Sequence, residues 1–86
     1  MMQGRLAEAA ELQVSVLESR TRVLGEDHPA TLNAANNLAL TYKKQGKLAE
    51  AKELQVQVLA RRERVLGEDH PDTLKAARNL ALTHKK

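Results

Sequence analysis

The sequence predicts an all-α fold built as a stack of antiparallel helix hairpins, and three observations carry that expectation. The chain is two copies of one 42-residue unit, its apolar residues recur three and four apart, and glycine and proline punctuate it at matching places. Residues 3–44 align with 45–86 and differ only at positions 5, 10, 15, 18, 19, 21, 30, 33, 36 and 42. LAEA, ELQV, RVLGEDHP and NLALT recur unchanged. A fixed period of this length is the mark of a repeat architecture. No stretch alternates with period two, so strands are not expected.

Each helix follows from its own pattern. The first, about residues 5–24, carries the apolar stripe Leu6, Ala9, Leu12 and Val16 and stops at Gly25. The second, about 29–45, opens on Pro29, whose fixed φ suits a first helical turn, and carries Leu32, Ala35, Leu38, Ala39 and Tyr42. Gly46 ends it as a left-handed cap. The third, about 48–66, carries Leu48, Ala51, Leu54, Val58, Leu59, Val65 and Leu66, and Gly67 closes it. The fourth, about 71–85, opens on Pro71 between Asp69 and Asp72, whose charge the helix N-terminus favours. Short joints force neighbours antiparallel.

Composition narrows the rest. A chain of 86 residues and 9.5 kDa makes one small domain, or a fragment of a larger one. Its folded surface should be roughly 5,000 Å², against roughly 14,000 Å² extended, so burial is modest and association or stacking is expected to help. Hydrophobic residues make 42%, nearly all Leu, Ala and Val, with Tyr42 the one aromatic. The lack of cysteine excludes disulfides, thiolate zinc sites and cysteine nucleophiles. No apolar run approaches the roughly 20 residues of a membrane span, and no signal segment is seen, so a cytoplasmic chain without membrane contact is expected.

The stretch Leu38-Ala39-x-x-Tyr42-x-x-x-Gly46-x-x-x-x-Ala51 resembles the tetratricopeptide repeat, in which Leu, a small residue, Tyr, Gly and Ala fall in this order. More closely, NNLALTYKKQGKLAEA followed by RRERVLGEDHPDTL is similar to the 42-residue variant of kinesin light chains, with its longer helix B. The resemblance covers nearly the whole chain. It departs at Ala35 and Ala77, where the short repeat has a large aromatic, at Gln55, another aromatic position, and at His84, which replaces Tyr42 in the second copy. A core this lean should lean on stacked neighbours.

Read in the family's register, the four helices run B–A–B–A, about two repeats. The stripe Leu6, Ala9, Leu12 and Val16 at one end and Leu74, Ala77, Leu80 and Ala81 at the other are then expected to lie open, with no polar capping helix. Each end supplies the half the other lacks: THKK followed by MMQGRLAEA nearly recreates TYKKQGKLAEA. Head-to-tail contact of this kind gives a ring or a filament. Gly46 is a second route, because helix formers flank it and straightening it costs roughly 1 kcal/mol, fusing two helices into a domain-swapped oligomer.

The resemblance also implies a peptide groove on the inner face of helix A. The matching positions are Asn33, Asn37, Leu40 and Lys44, then Lys75, Asn79, Leu82 and Lys86. Their spacing puts each set on one helical face. Asn37 and Asn79 offer both donor and acceptor to a backbone amide, or else bond neighbouring helices. The lysines would attract acidic side chains or a terminal carboxylate.

Other chemistries find little support. His28 and His70 each lie in GEDHP, but a closed zinc site wants four ligands, so capping is the expected role and no metal or other cofactor is expected. Arg61, Arg62, Arg64, Lys85 and Lys86 are interleaved by Glu63, Glu68 and Asp69 with no aromatic platform, which argues against nucleic acid. Ser15 and Ser19 have no activating histidine, the pairs Glu8–Glu11 and Glu50–Glu53 sit on a solvated face, and no phosphate loop exists. No catalytic residue is expected. The chain reads as a non-enzymatic interaction scaffold that associates with itself and takes extended peptide or protein segments. The alternative is a self-assembling building block, an excised or engineered repeat array.

Overall fold

The computed structural model describes residues 2–85, with side chains placed for residues 4–84. Four helices account for nearly all of it: α1 (Met2–Leu24), α2 (Pro29–Lys44), α3 (Leu48–Leu66) and α4 (Pro71–Lys85). Helix α1 starts at Met2 rather than at residue 5, with Gly4 carried inside it. Helix α2 stops one residue short of 45, where Gln45 serves as its C-cap.

The joints are built by the residues that marked them. Gly46 stands at φ +83°, and three backbone bonds close the turn around it. The Gln45 amide donates to Thr41, Gly46 to Lys43, and Lys47 to Tyr42, at 3.0, 3.0 and 2.9 Å. The last two form the paired bonds of a Schellman cap, which satisfies carbonyls that a helix end would otherwise strand. The Lys47 ammonium also lies 5.9 Å from the centre of the Tyr42 ring. At the longer joint Gly67 takes φ 91°, ψ 157°, a conformation essentially confined to glycine. His28 then starts α2 from an extended backbone, and its Nδ1 accepts from the Ala30 amide at 3.0 Å. His70 repeats this at α4, accepting from Asp72 at 3.0 Å.

Packing runs mainly from each helix to the next: α1 lies on α2, α2 on α3, and α3 on α4. That is the quasi-one-dimensional pattern of a solenoid, in which each repeat rests on its neighbours. The result is a slab of 40 × 34 × 17 Å. At its centre Ala35, Val58 and Ala76 meet, with Leu17 and Leu59 packed against them. Small side chains let the helices approach closely but leave little apolar volume. Leu32, Ala34, Leu38, Ala39 and Ala51 are buried around them on α2 and α3. Gln55, at an aromatic position of the short repeat, is among the most deeply buried side chains. None of the described helices is long and apolar enough to cross a membrane.

Candidate functional site

Polar contacts hold the hairpins in register, and they repeat by copy. Arg20, near the end of α1, donates through its Nη1 to the Ala30 carbonyl at 3.0 Å, and the Thr31 hydroxyl donates to the Arg20 carbonyl at 3.3 Å. Forty-two positions on, Arg62 donates from Nη1 to Asp72 O at 3.2 Å, and Thr73 donates to Arg62 O at 3.3 Å. Arg62 makes one contact more: its Nη2 donates to Asn33 Oδ1 on α2 at 2.9 Å. Its buried guanidinium thus ties α3 to both helices of type A, and a planar fork with several fixed donors is what that task needs. Asn79 Nδ2 donates to Asn36 Oδ1 at 3.3 Å, linking α4 directly to α2.

Charge joins the first loop to α3. Glu26 pairs with Arg61, and Asp27 accepts from Arg64 at 2.7 Å. The Asp27 hydrogen bond, then its charge, raises the Arg64 guanidinium above its already high ordinary pKa. Both residues are solvated, so the pairs fix orientation more than they stabilise.

The residues expected to line a peptide groove fall into two groups. Asn37, Lys44, Lys75 and Leu82 are exposed, and Leu40 is half-buried. Asn33 and Asn79 are engaged within the fold, by Arg62 and Asn36. Lys86 lies outside the described residues. Asn37 sits instead at a groove between α1 and α2, lined by Gln13, Val16, Arg20, Ala34 and Asn37. The Gln13 Oε1 in that groove is hidden and meets no protein donor.

The apolar faces behave according to which helix covers them. Leu12, Val16, Leu74 and Ala81 are exposed, whereas Leu6, Ala9, Ala77 and Leu80 are half-buried. The copies make the comparison internal to one molecule. Leu32 is 2% exposed and its counterpart Leu74 is 56%; Val58 is 1% and its counterpart Val16 is 42%. Identical residues therefore differ because one member of each pair has a neighbouring helix over it.

Arg62 and Gln55 escaped reading as structural residues. A signal was available for the arginine: it matches Arg20 between the copies although both flanking positions, 19/61 and 21/63, differ. His28 and His70 both serve as helix caps, and among the described residues no cluster of three or more metal-ligating side chains forms.

The family model for the tetratricopeptide repeat matches residues 1–30 and 31–72. The second span is one full period that takes in all but the first two residues of α2, the whole of α3 and the start of α4, and the first takes in α1. No curated protein matches the chain.

Proposed function

The chain belongs to the tetratricopeptide repeat family, a non-enzymatic family whose repeats mediate protein–protein interaction, and on that premise we propose that it is an interaction scaffold of the 42-residue kind. Its ligand is an extended peptide or protein segment with acidic character. The carrying observation is the Asn79–Asn36 bond, which sets α4 beside α2. Leu40 and Lys44 of α2 and Lys75 and Leu82 of α4 then offer side chains on neighbouring helices, with Asn37 at the α1-facing edge of α2. Asn37 supplies amide recognition, the two leucines apolar contact, and the lysines attraction for carboxylates. A face of two helices is small, so micromolar or weaker affinity is expected.

Fluorescence anisotropy with arrayed acidic and neutral peptides tests this. Asn37→Ala with Lys44→Ala should weaken binding of acidic peptides at least tenfold while the far-ultraviolet circular dichroism stays unchanged. Equal binding by the variant, or no preference for acidic peptides, would reject the assignment of this face.

A second reading, self-association, is favoured by the exposure of Leu74 and Val16 where their counterparts are covered. In this reading the open faces of α1 and α4 stack between molecules, or the Gly46 turn straightens to give a swapped dimer. The two readings separate by mutation. Lys44→Ala, outside the groove that α4 would enter, should leave an assembly intact, whereas Leu6→Glu or Leu80→Glu should dissolve it.

A further inference from the structure

We propose that the groove between α1 and α2 receives α4 of a second copy, and that Lys75 sets the strength of that contact by facing Arg20. The proposal rests on the self-association reading and gives it a site. The groove residues Gln13, Val16, Arg20, Ala34 and Asn37 have as copy counterparts Gln55, Val58, Arg62, Ala76 and Asn79, and each pair is chemically identical. The second set is not open: Gln55, Val58, Arg62 and Ala76 are buried, and Arg62 and Asn79 are bonded to Asn33 and Asn36 of α2. The groove is thus the surface that α2 covers one repeat further on. The helix in this chain that matches α2 is α4, which carries the same leucines and alanines at its exposed face.

Charge supports the same pairing. Asp27 accepts from Arg64 inside the chain, and the corresponding groups at an intermolecular contact are Asp69 of one copy and Arg22 of the other, both exposed. Asn36 is replaced by Arg78 on α4, which still bonds Asn37 by donating to its Oδ1. Asn33 is replaced by Lys75, and here the match fails. Arg62 Nη2 donates to Asn33 Oδ1, so Arg20 needs an acceptor at the same place. An ammonium has none and carries the same sign of charge. The contact between copies is therefore weaker than the one within a copy: Lys75 gives Arg20 no acceptor, and the Glu26–Arg61 pair has only Glu68 and Ser19 as its counterparts.

Sedimentation equilibrium of the 86-residue chain tests this with Lys75→Asn and with Lys75→Asn plus Val16→Glu. Restoring an acceptor to a guanidinium is expected to raise the association constant roughly tenfold to a hundredfold. Val16→Glu, in the groove and already solvent-facing, should return that variant to monomer with its helical content kept. If the parent chain associates and Lys75→Asn leaves its constant unchanged, the site is wrong and self-association stands on another surface. If Val16→Glu leaves the assembled Lys75→Asn chain intact, the groove is likewise rejected. If both the parent chain and Lys75→Asn stay monomeric up to millimolar concentration, the self-association reading falls with it.

Discussion

Replacing Gln55 with methionine should stabilise the protein, and the same change at Gln13 should do much less. Gln55 is 2% exposed, and neither its Oε1 nor its Nε2 meets a hydrogen-bonding protein group. Burying an amide without partners costs roughly 1–3 kcal/mol on the scale of protein substitutions. Methionine is unbranched, of similar length, and adapts to irregular gaps, so overpacking is limited. The net expected gain is about 1–3 kcal/mol, and about 4–8 °C in Tm for each of those kcal/mol in a domain this size. Gln13 holds the same repeat position but is only half-buried, with its Oε1 alone hidden, so its gain should stay below about 1 kcal/mol. Thermal and urea unfolding followed by circular dichroism measures both. A loss of stability at position 55, or equal gains at the two positions, would refute the reasoning from copy-specific burial.

Three further outcomes are expected. Gly46→Ala puts a Cβ where φ is +83° but no atom is near, so the penalty is of backbone origin, roughly 1–2 kcal/mol. Alanine also favours a continuous helix by about 1 kcal/mol, so a swapped dimer should rise in gel filtration; an unchanged elution profile would argue against the turn as a hinge. Arg62→Lys keeps the charge but cannot hold Asp72 O and Asn33 Oδ1 together, and should cost about 2–3 kcal/mol in urea denaturation, against little for Arg20→Lys on the exposed side. His28→Ala and His70→Ala each remove a side-chain cap and should lower stability by about 0.5–2 kcal/mol, while His28→Asn should recover most of it.

The helical class was legible because local signals and repeat agree: glycine at Gly46 and Gly67, proline at Pro29 and Pro71, and leucines three and four apart between them. What the sequence could not convey was how the same residue fares in each copy. Leu32 and Leu74 share the same apolar spacing within their helices, and the stacking of α3 over α2 is what buries the first and not the second. The groove residues were harder for a related reason. Asn33 and Asn79 sit on the expected face by periodicity, yet an arginine 29 positions from the first and an asparagine 43 from the second claim them, contacts no helical spacing predicts. Gln55 ran against pattern altogether, a polar residue at an aromatic site that is buried with no hydrogen-bonding protein partner.

The central claim is that the surfaces of α1 and α4 left open in this chain are interaction surfaces, since their copies inside the molecule are covered. Size-exclusion chromatography with light scattering, across a hundredfold range of concentration, tests it most directly. The account predicts a mass that climbs above 9.5 kDa as concentration rises. A mass fixed at the monomer value throughout, with full helicity, would contradict it.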